Sequence, residues 1–153
     1  MKYYYLLPEV AGESGELTDM DASYHPPIVT KLHCEFNTWP CDALLASFPC
    51  FIVTVPAMKQ IKLARLTGVS FDGVRTTKFG ELELRTARQS LPEFTWMKVE
   101  GAPGSCDFGI NKPYKISGYK KHDYHEFTLV VSERALELLR RLGISYATIE
   151  NYP

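Results

Sequence analysis

Glu126-Phe-Thr-Leu-Val-Val-Ser-Glu-Arg-Ala-Leu-Glu-Leu-Leu-Arg-Arg-Leu-Gly143 carries two periodicities in one run. Residues 126–131 are rich in β-branched and aromatic side chains and read as a strand. From Ser132 the pattern changes. Ala135, Leu136, Leu138, Leu139 and Leu142 recur at helical spacing and make one apolar face. Ser132 supplies the N-cap, Glu133 complements the positive end of the dipole, Arg140 and Arg141 favour the last turn, and Gly143 is the expected left-handed stop. A strand feeding directly into an amphipathic helix means both element types share one core.

Other segments fit the same frame. Residues 144–149 read as a last short strand. Upstream, Phe94, Trp96 and the stem of Lys98 alternate with Thr95, Met97 and Val99, so residues 93–100 form a strand. Residues 2–7 are aromatic-rich and read as another. Ile28, Thr30, Leu32, Cys34 and Phe36 alternate with Val29, Lys31, His33 and Glu35, and the first set is expected to face the core. Asp42 is placed to cap a short helix through Phe48, ended by Pro49, before a buried strand at residues 50–53. Thr54 caps a second helix with Pro56 in its first turn, with Ala57, Met58, Ile61 and Ala64 inward, Lys59, Lys62 and Arg65 on a solvated stripe, and Gly68 as its stop. Residues 69–74 alternate like a strand, with a turn or bulge at Asp72-Gly73, and residues 81–86 fit an edge strand or a short helix. The expectation is a single α+β domain over residues 1–153, a mainly antiparallel sheet with two or three helices packed against it.

Composition narrows the class. The chain has 153 residues, 45% hydrophobic and 23% charged, which excludes collagen-like, coiled-coil and wholly disordered chains. At this size roughly two thirds of the unfolded surface can be buried, so no metal or disulfide staple is required. Seventeen basic against eighteen acidic residues leave a net charge of −1, which argues against a basic nucleic-acid binder. Cys34, Cys41, Cys50 and Cys106 lack C-x-x-C spacing and read as reduced thiols of a cytoplasmic protein; a Cys34–Cys41 or Cys41–Cys50 bridge is the alternative. Residues 43–58 are the longest uncharged run, but they hold Pro49 and Pro56 and fall short of the roughly twenty apolar residues of a membrane span.

Two long polar stretches interrupt the pattern. Residues 8–27 read as an acidic loop bearing Glu9, Glu13, Glu16, Asp19 and Asp21, with a short hairpin near residues 16–21 as the alternative. Acidic groups steer association with basic partners and aromatics anchor interfaces. Glu13, Glu16, Asp19, Asp21, Tyr24 and Trp39 are therefore the candidate partner-binding residues, with a solvated connector as the competing reading. Residues 105–125 form the second stretch. His122 and His125 bracket Asp123 there, but an H-x-x-H pair lacks the third protein ligand of a catalytic zinc. Cys106 beside Asp107 has no local base to make a thiolate. The basic run from Lys59 to Arg88 offers few stacking aromatics. The residues supply no catalytic fingerprint, and no cofactor or metal is expected.

Met1-Lys-Tyr-Tyr4, Pro26-Pro27, Asp42-Ala-Leu-Leu45, Leu91-Pro-Glu-Phe-Thr-Trp-Met-Lys-Val-Glu-Gly101, Asp107-Phe-Gly-Ile110 and Leu129-Val-Val-Ser-Glu-Arg-Ala-Leu-Glu-Leu-Leu139 together span most of the chain. In them the sequence resembles small proteobacterial immunity proteins of polymorphic toxin systems, including myxobacterial immunity domains. The resemblance implies a non-enzymatic protein that binds a cognate toxin and occludes its active site. It carries over no individual site residue. The competing readings are a generic binding or regulatory module that pairs as a homodimer and, behind it, a small enzyme using His122, Asp123, His125 or Cys106.

Overall fold

The computed structural model describes residues 1–111 and 127–153. Its elements run β1 (Tyr3–Leu7), β2 (Gly12–Ser14), β3 (Asp19–Asp21), β4 (Ile28–Phe36), β5 (Leu44–Ser47), β6 (Cys50–Thr54), α1 (Val55–Leu63), β7 (Val69–Asp72), β8 (Val74–Lys78), α2 (Glu81–Arg85), β9 (Phe94–Val99), β10 (Phe108–Asn111), β11 (Thr128–Ser132), α3 (Glu133–Leu142) and β12 (Thr148–Asn151). The fold is α+β and mostly antiparallel, as expected. The one parallel ladder among the described residues joins β4 to β8, Leu32 opposite Val74 through Phe36 opposite Lys78.

Three sheets build the described residues. The first has the order β10-β11-β1-β12, the second β5-β6-β9-β7, and the third is centred on β4, flanked by β2, β3 and β8. The second sheet is apolar on both faces. Leu44, Phe51, Val53 and Met97 join Leu6, Phe108, Leu129 and Val131 of the first sheet in one core, which α1 and α3 close with Ala57, Ile61, Ala135, Leu136, Leu138 and Leu139. Leu45, Cys50, Ile52, Phe94 and Trp96 form a second core with Leu32, Cys34 and Phe36 of β4 and Leu82 of α2. Burial on both faces is why β6 and β9 read as nearly continuous apolar runs.

That second core overturns the helix expected after Asp42. Leu44 and Leu45 must enter different cores, and only a strand sends successive side chains to opposite faces. The segment is β5, hairpinned to β6 with Leu44 opposite Val53 and Ser47 opposite Cys50. Asp42 instead accepts the Tyr146 N–H through Oδ2 at 2.8 Å.

The expected acidic loop contains β2 and β3, which pair antiparallel with successive parts of β4: Glu13 opposite Glu35, Asp19 opposite Lys31, Asp21 opposite Ile28. Likewise the second polar stretch contains β10, with Phe108 fully buried. The last strand lies later than expected, at β12, because Ile144 is needed in the first core. Residues 81–86 resolve as the short helix α2. Helix α1 ends at Leu63 without needing Gly68, and Ala64 is exposed rather than inward.

Both long helices start on the predicted caps: Thr54 Oγ1 accepts the Ala57 N–H and Ser132 Oγ accepts the Ala135 N–H. Ser132 also donates to Asp107 Oδ1 at 2.6 Å. Asp107 is buried between the first sheet and the start of α3. Burial pushes its carboxyl up, but hydrogen bonds from Arg134, Ser132 and Thr67 outweigh that and hold it well below the usual carboxylate range. No helix among the described residues is long and apolar enough to cross a membrane.

Candidate functional site

From residue 3 to residue 30 the chain has no lysine or arginine and five carboxylates. Glu9 is spent internally, its Oε1 accepting the N–H groups of Cys41 and Asp42 at 3.0 and 2.9 Å. The other four, Glu13, Glu16, Asp19 and Asp21, are all exposed. The pairing with β4 strings them along one sheet margin, from beside Glu35 to beside Ile28. Asp21 Oδ1 accepts both the hydroxyl and the N–H of Ser23, at 2.6 and 3.0 Å, which lowers its pKa and keeps the end of the row charged.

Apolar side chains interrupt the acids. Leu17, Met20, Tyr24 and Ile28 are each more than 40% exposed on this margin. Exposed apolar residues set among like charges are the composition of an interface with a charged rim. Beyond Tyr24 the surface opens into a groove of about 1070 Å³ bordered by Tyr24, Ile28, Val99, Pro103, Ile110 and Phe127. The His25 and Phe127 rings meet edge to face at 5.2 Å across one end of it. Lys98, also on its wall, lies 4.5 Å from the Trp96 ring centroid and 3.1 Å from Asp72, so its charge is already matched.

The geometry divides the residues singled out from the sequence. Glu13, Glu16, Asp19, Asp21 and Tyr24 share the margin. Trp39 does not: it follows the opposite end of β4 from Tyr24, across a nine-residue strand of roughly 27–30 Å, and is half-buried against the second core.

The margin is held from behind by a residue expected to face outward. His33 is buried on the side of β4 away from the second core. Its carbonyl accepts the Gly15 N–H at 2.7 Å, and its N–H donates to Thr18 Oγ1 at 2.9 Å. The Thr18 hydroxyl bonds back to the same carbonyl at 2.9 Å. Ring Nδ1 accepts the Leu17 N–H at 3.3 Å, while Nε2 lies 2.8 Å from Thr77 Oγ1. The four residues between β2 and β3 are thus stapled to one histidine. Gly15 is obligatory there, since a Cβ would stand 2.2 Å from Nδ1. Alternation alone hides this role, because a polar outward set is what a solvated strand face also shows. The glycine inside a polar stretch is the signal that a close approach was needed.

Other candidate chemistry finds little here. His122, Asp123 and His125 lie outside the described residues. Among the described residues no three His, Cys, Asp or Glu side chains group as a metal set. The four cysteines are free thiols. Burial raises the Cys34 pKa and pushes Cys50 up to about 12, so both stay protonated. Cys106 is half-buried, its Cβ close over Gly68 and Gly101.

The fold defines the chain as an α+β protein with an acidic, apolar-studded sheet margin. No family model matches it, and no curated protein is significantly similar to it.

Proposed function

We propose that this chain is a protein-binding domain of the immunity type, which acts in the cytoplasm by covering a basic cleft on a cognate toxin. One observation carries the reading: four exposed carboxylates and four exposed apolar side chains share the margin formed by β2, β3 and the start of β4. The carboxylates would steer a basic surface toward the margin, and Leu17, Met20, Tyr24 and Ile28 would supply apolar contact once water is excluded. Where the toxin is a nuclease, the spaced carboxylates would occupy the subsites of nucleic-acid phosphates.

The same charges disfavour the homodimer reading at this margin. Two copies pairing antiparallel about a two-fold axis would set carboxylates against carboxylates, and like charges opposite each other destabilise a sheet. Acidic side chains on an edge strand guard against that self-pairing while leaving the edge open to a basic partner.

The test is binding to the toxin domain encoded beside this gene. Nanomolar or tighter affinity with loss of toxin activity supports the reading. A neighbouring locus without any toxin, or a toxin that neither binds nor is quenched, overturns it.

A further inference from the structure

We propose that the groove beyond Tyr24 takes an extended peptide segment of another protein, which adds as a strand to the free side of β4 at residues 28–31. This holds whether or not that protein is a toxin.

β4 is paired unevenly along its length. β2 and β8 both pair with residues 34–36, so they take opposite sides of the strand. β3 continues on the β2 side, because Gly15, just after β2, and Thr18, just before β3, both bond the backbone of His33. The β8 ladder begins with Val74 opposite Leu32 and reaches no further toward the start of β4. On that side, residues 28–31 have no strand partner among the described residues. Even β3 passes over Thr30, setting Asp19 opposite Lys31 and Met20 opposite Val29. Exposure follows the pairing. Ile28, Thr30 and Lys31 are exposed and Val29 is half-buried, whereas residues 32–36 are buried apart from half-buried Glu35.

The groove of about 1070 Å³ meets this bare stretch, with Ile28 and Val29 in its lining. The turn from β7 to β8 bridges the second and third sheets, Asp72 opposite Trp96 and Val74 opposite Leu32. Beyond that bridge β9 runs on to Val99 and β4 runs back to Ile28, and the groove lies between them. Val29, Trp96, Val99, Pro103 and Ile110 make its walls apolar. Its charged groups are already engaged: Lys98 lies 3.1 Å from Asp72, and Glu100 Oε1 accepts the Ser70 hydroxyl at 2.9 Å.

Bare strand backbone beside an apolar wall defines the occupant. A polypeptide main chain repeats a donor and an acceptor at strand spacing, which is what an unpaired ladder takes. In an added strand every second side chain faces the same way, so alternate residues of the guest would enter the groove and the others would face solvent. Four residues of β4 span roughly 13 Å, so a guest of about four to six residues suffices.

Peptide selection tests this with the unmodified chain. Octapeptides selected from a random phage-displayed library should carry apolar residues at alternate positions and no internal proline. Saturation with one such synthetic peptide should slow exchange of at least one amide among residues 28–31 about tenfold or more, with residues 34–36 unchanged. N-methylating alternate amides of the peptide in one register should weaken binding at least about tenfold, and in the other register should leave it within about threefold. No enrichment, equal effects of the two registers, or protection that appears elsewhere overturns the proposal. A dimer of the chain alone, seen by light scattering and protecting the same amides, also overturns it, because the edge then belongs to a second copy. A chain that binds such peptides but quenches no toxin leaves this inference standing and sinks only the earlier one; a chain that quenches a toxin but selects no peptide does the reverse.

Discussion

Arg134 grips Asp107 with two parallel hydrogen bonds, Nε to Oδ1 at 2.8 Å and Nη2 to Oδ2 at 2.7 Å. The forked geometry is what a guanidinium offers and an ammonium cannot. Thr67 adds its N–H and hydroxyl to Oδ2 at 2.8 and 3.1 Å, and Ser132 its hydroxyl to Oδ1. One buried carboxylate thereby joins the loop after α1, the start of β10 and the first turn of α3.

Replacing Asp107 by Asn should therefore cost about 2–4 kcal/mol, because an amide turns one acceptor into a donor among donors. Its carboxyl is depressed in the fold relative to the unfolded chain. The stability it contributes is present above the unfolded value of about 3.9 and is lost as pH falls from there toward the folded value. Urea melts from pH 7 down to pH 3 should show that acid loss in the wild type and a smaller one in Asp107→Asn. Parallel curves would remove Asp107 from acid unfolding.

The two long helices have chemically similar caps with different workloads. Thr54 Oγ1 serves the Ala57 N–H at 3.3 Å, whereas Ser132 caps α3 and also feeds Asp107. Thr54→Ala should cost about 1 kcal/mol and Ser132→Ala roughly 2–3 kcal/mol. Equal midpoint shifts in urea at unchanged m would refute the difference.

Two glycines test the close packing of the margin. A Cβ on Gly12 would stand 1.8 Å from the backbone oxygen of Glu35, and the nearest atoms to one on Gly15 are those of the His33 ring. Backbone yields less than a side chain, so both Ala variants should destabilise by about 1–3 kcal/mol, with Gly12→Ala the worse. Gly15→Ala should also raise exchange at the Leu17 amide. The reverse order in thermal melts would show that the margin adapts more readily than its contacts indicate.

Where one face of an element meets one core, its sequence announced it. Helix α3 and the cap of α1 lie where their periodicity and capping residues put them. The misreadings share a cause. Leu44 and Leu45 serve two cores, a fact invisible until the second core exists, and a run of apolar residues with a possible cap then looks helical. β2, β3 and β10 are three or four residues long, too short for a period to emerge, and the polar composition of β2 and β3 follows from lying at a margin. The acids and Tyr24 were legible as exposed side chains of one polar stretch. His33 behind them and Trp39 away from them depend on which strands pair, and that is set by contacts far apart in sequence.

The claim that the margin receives another protein is tested most directly by association kinetics with the toxin domain that the proposed function expects beside this gene, using wild type and the combined Glu13→Lys, Glu16→Lys, Asp19→Lys, Asp21→Lys variant. These side chains are exposed, so reversal should leave folding stability within about 1 kcal/mol. The account predicts an association rate at least about tenfold lower at low ionic strength and a salt dependence that flattens or inverts. Matching rates and matching salt slopes, in a variant that folds as the wild type does, would contradict it.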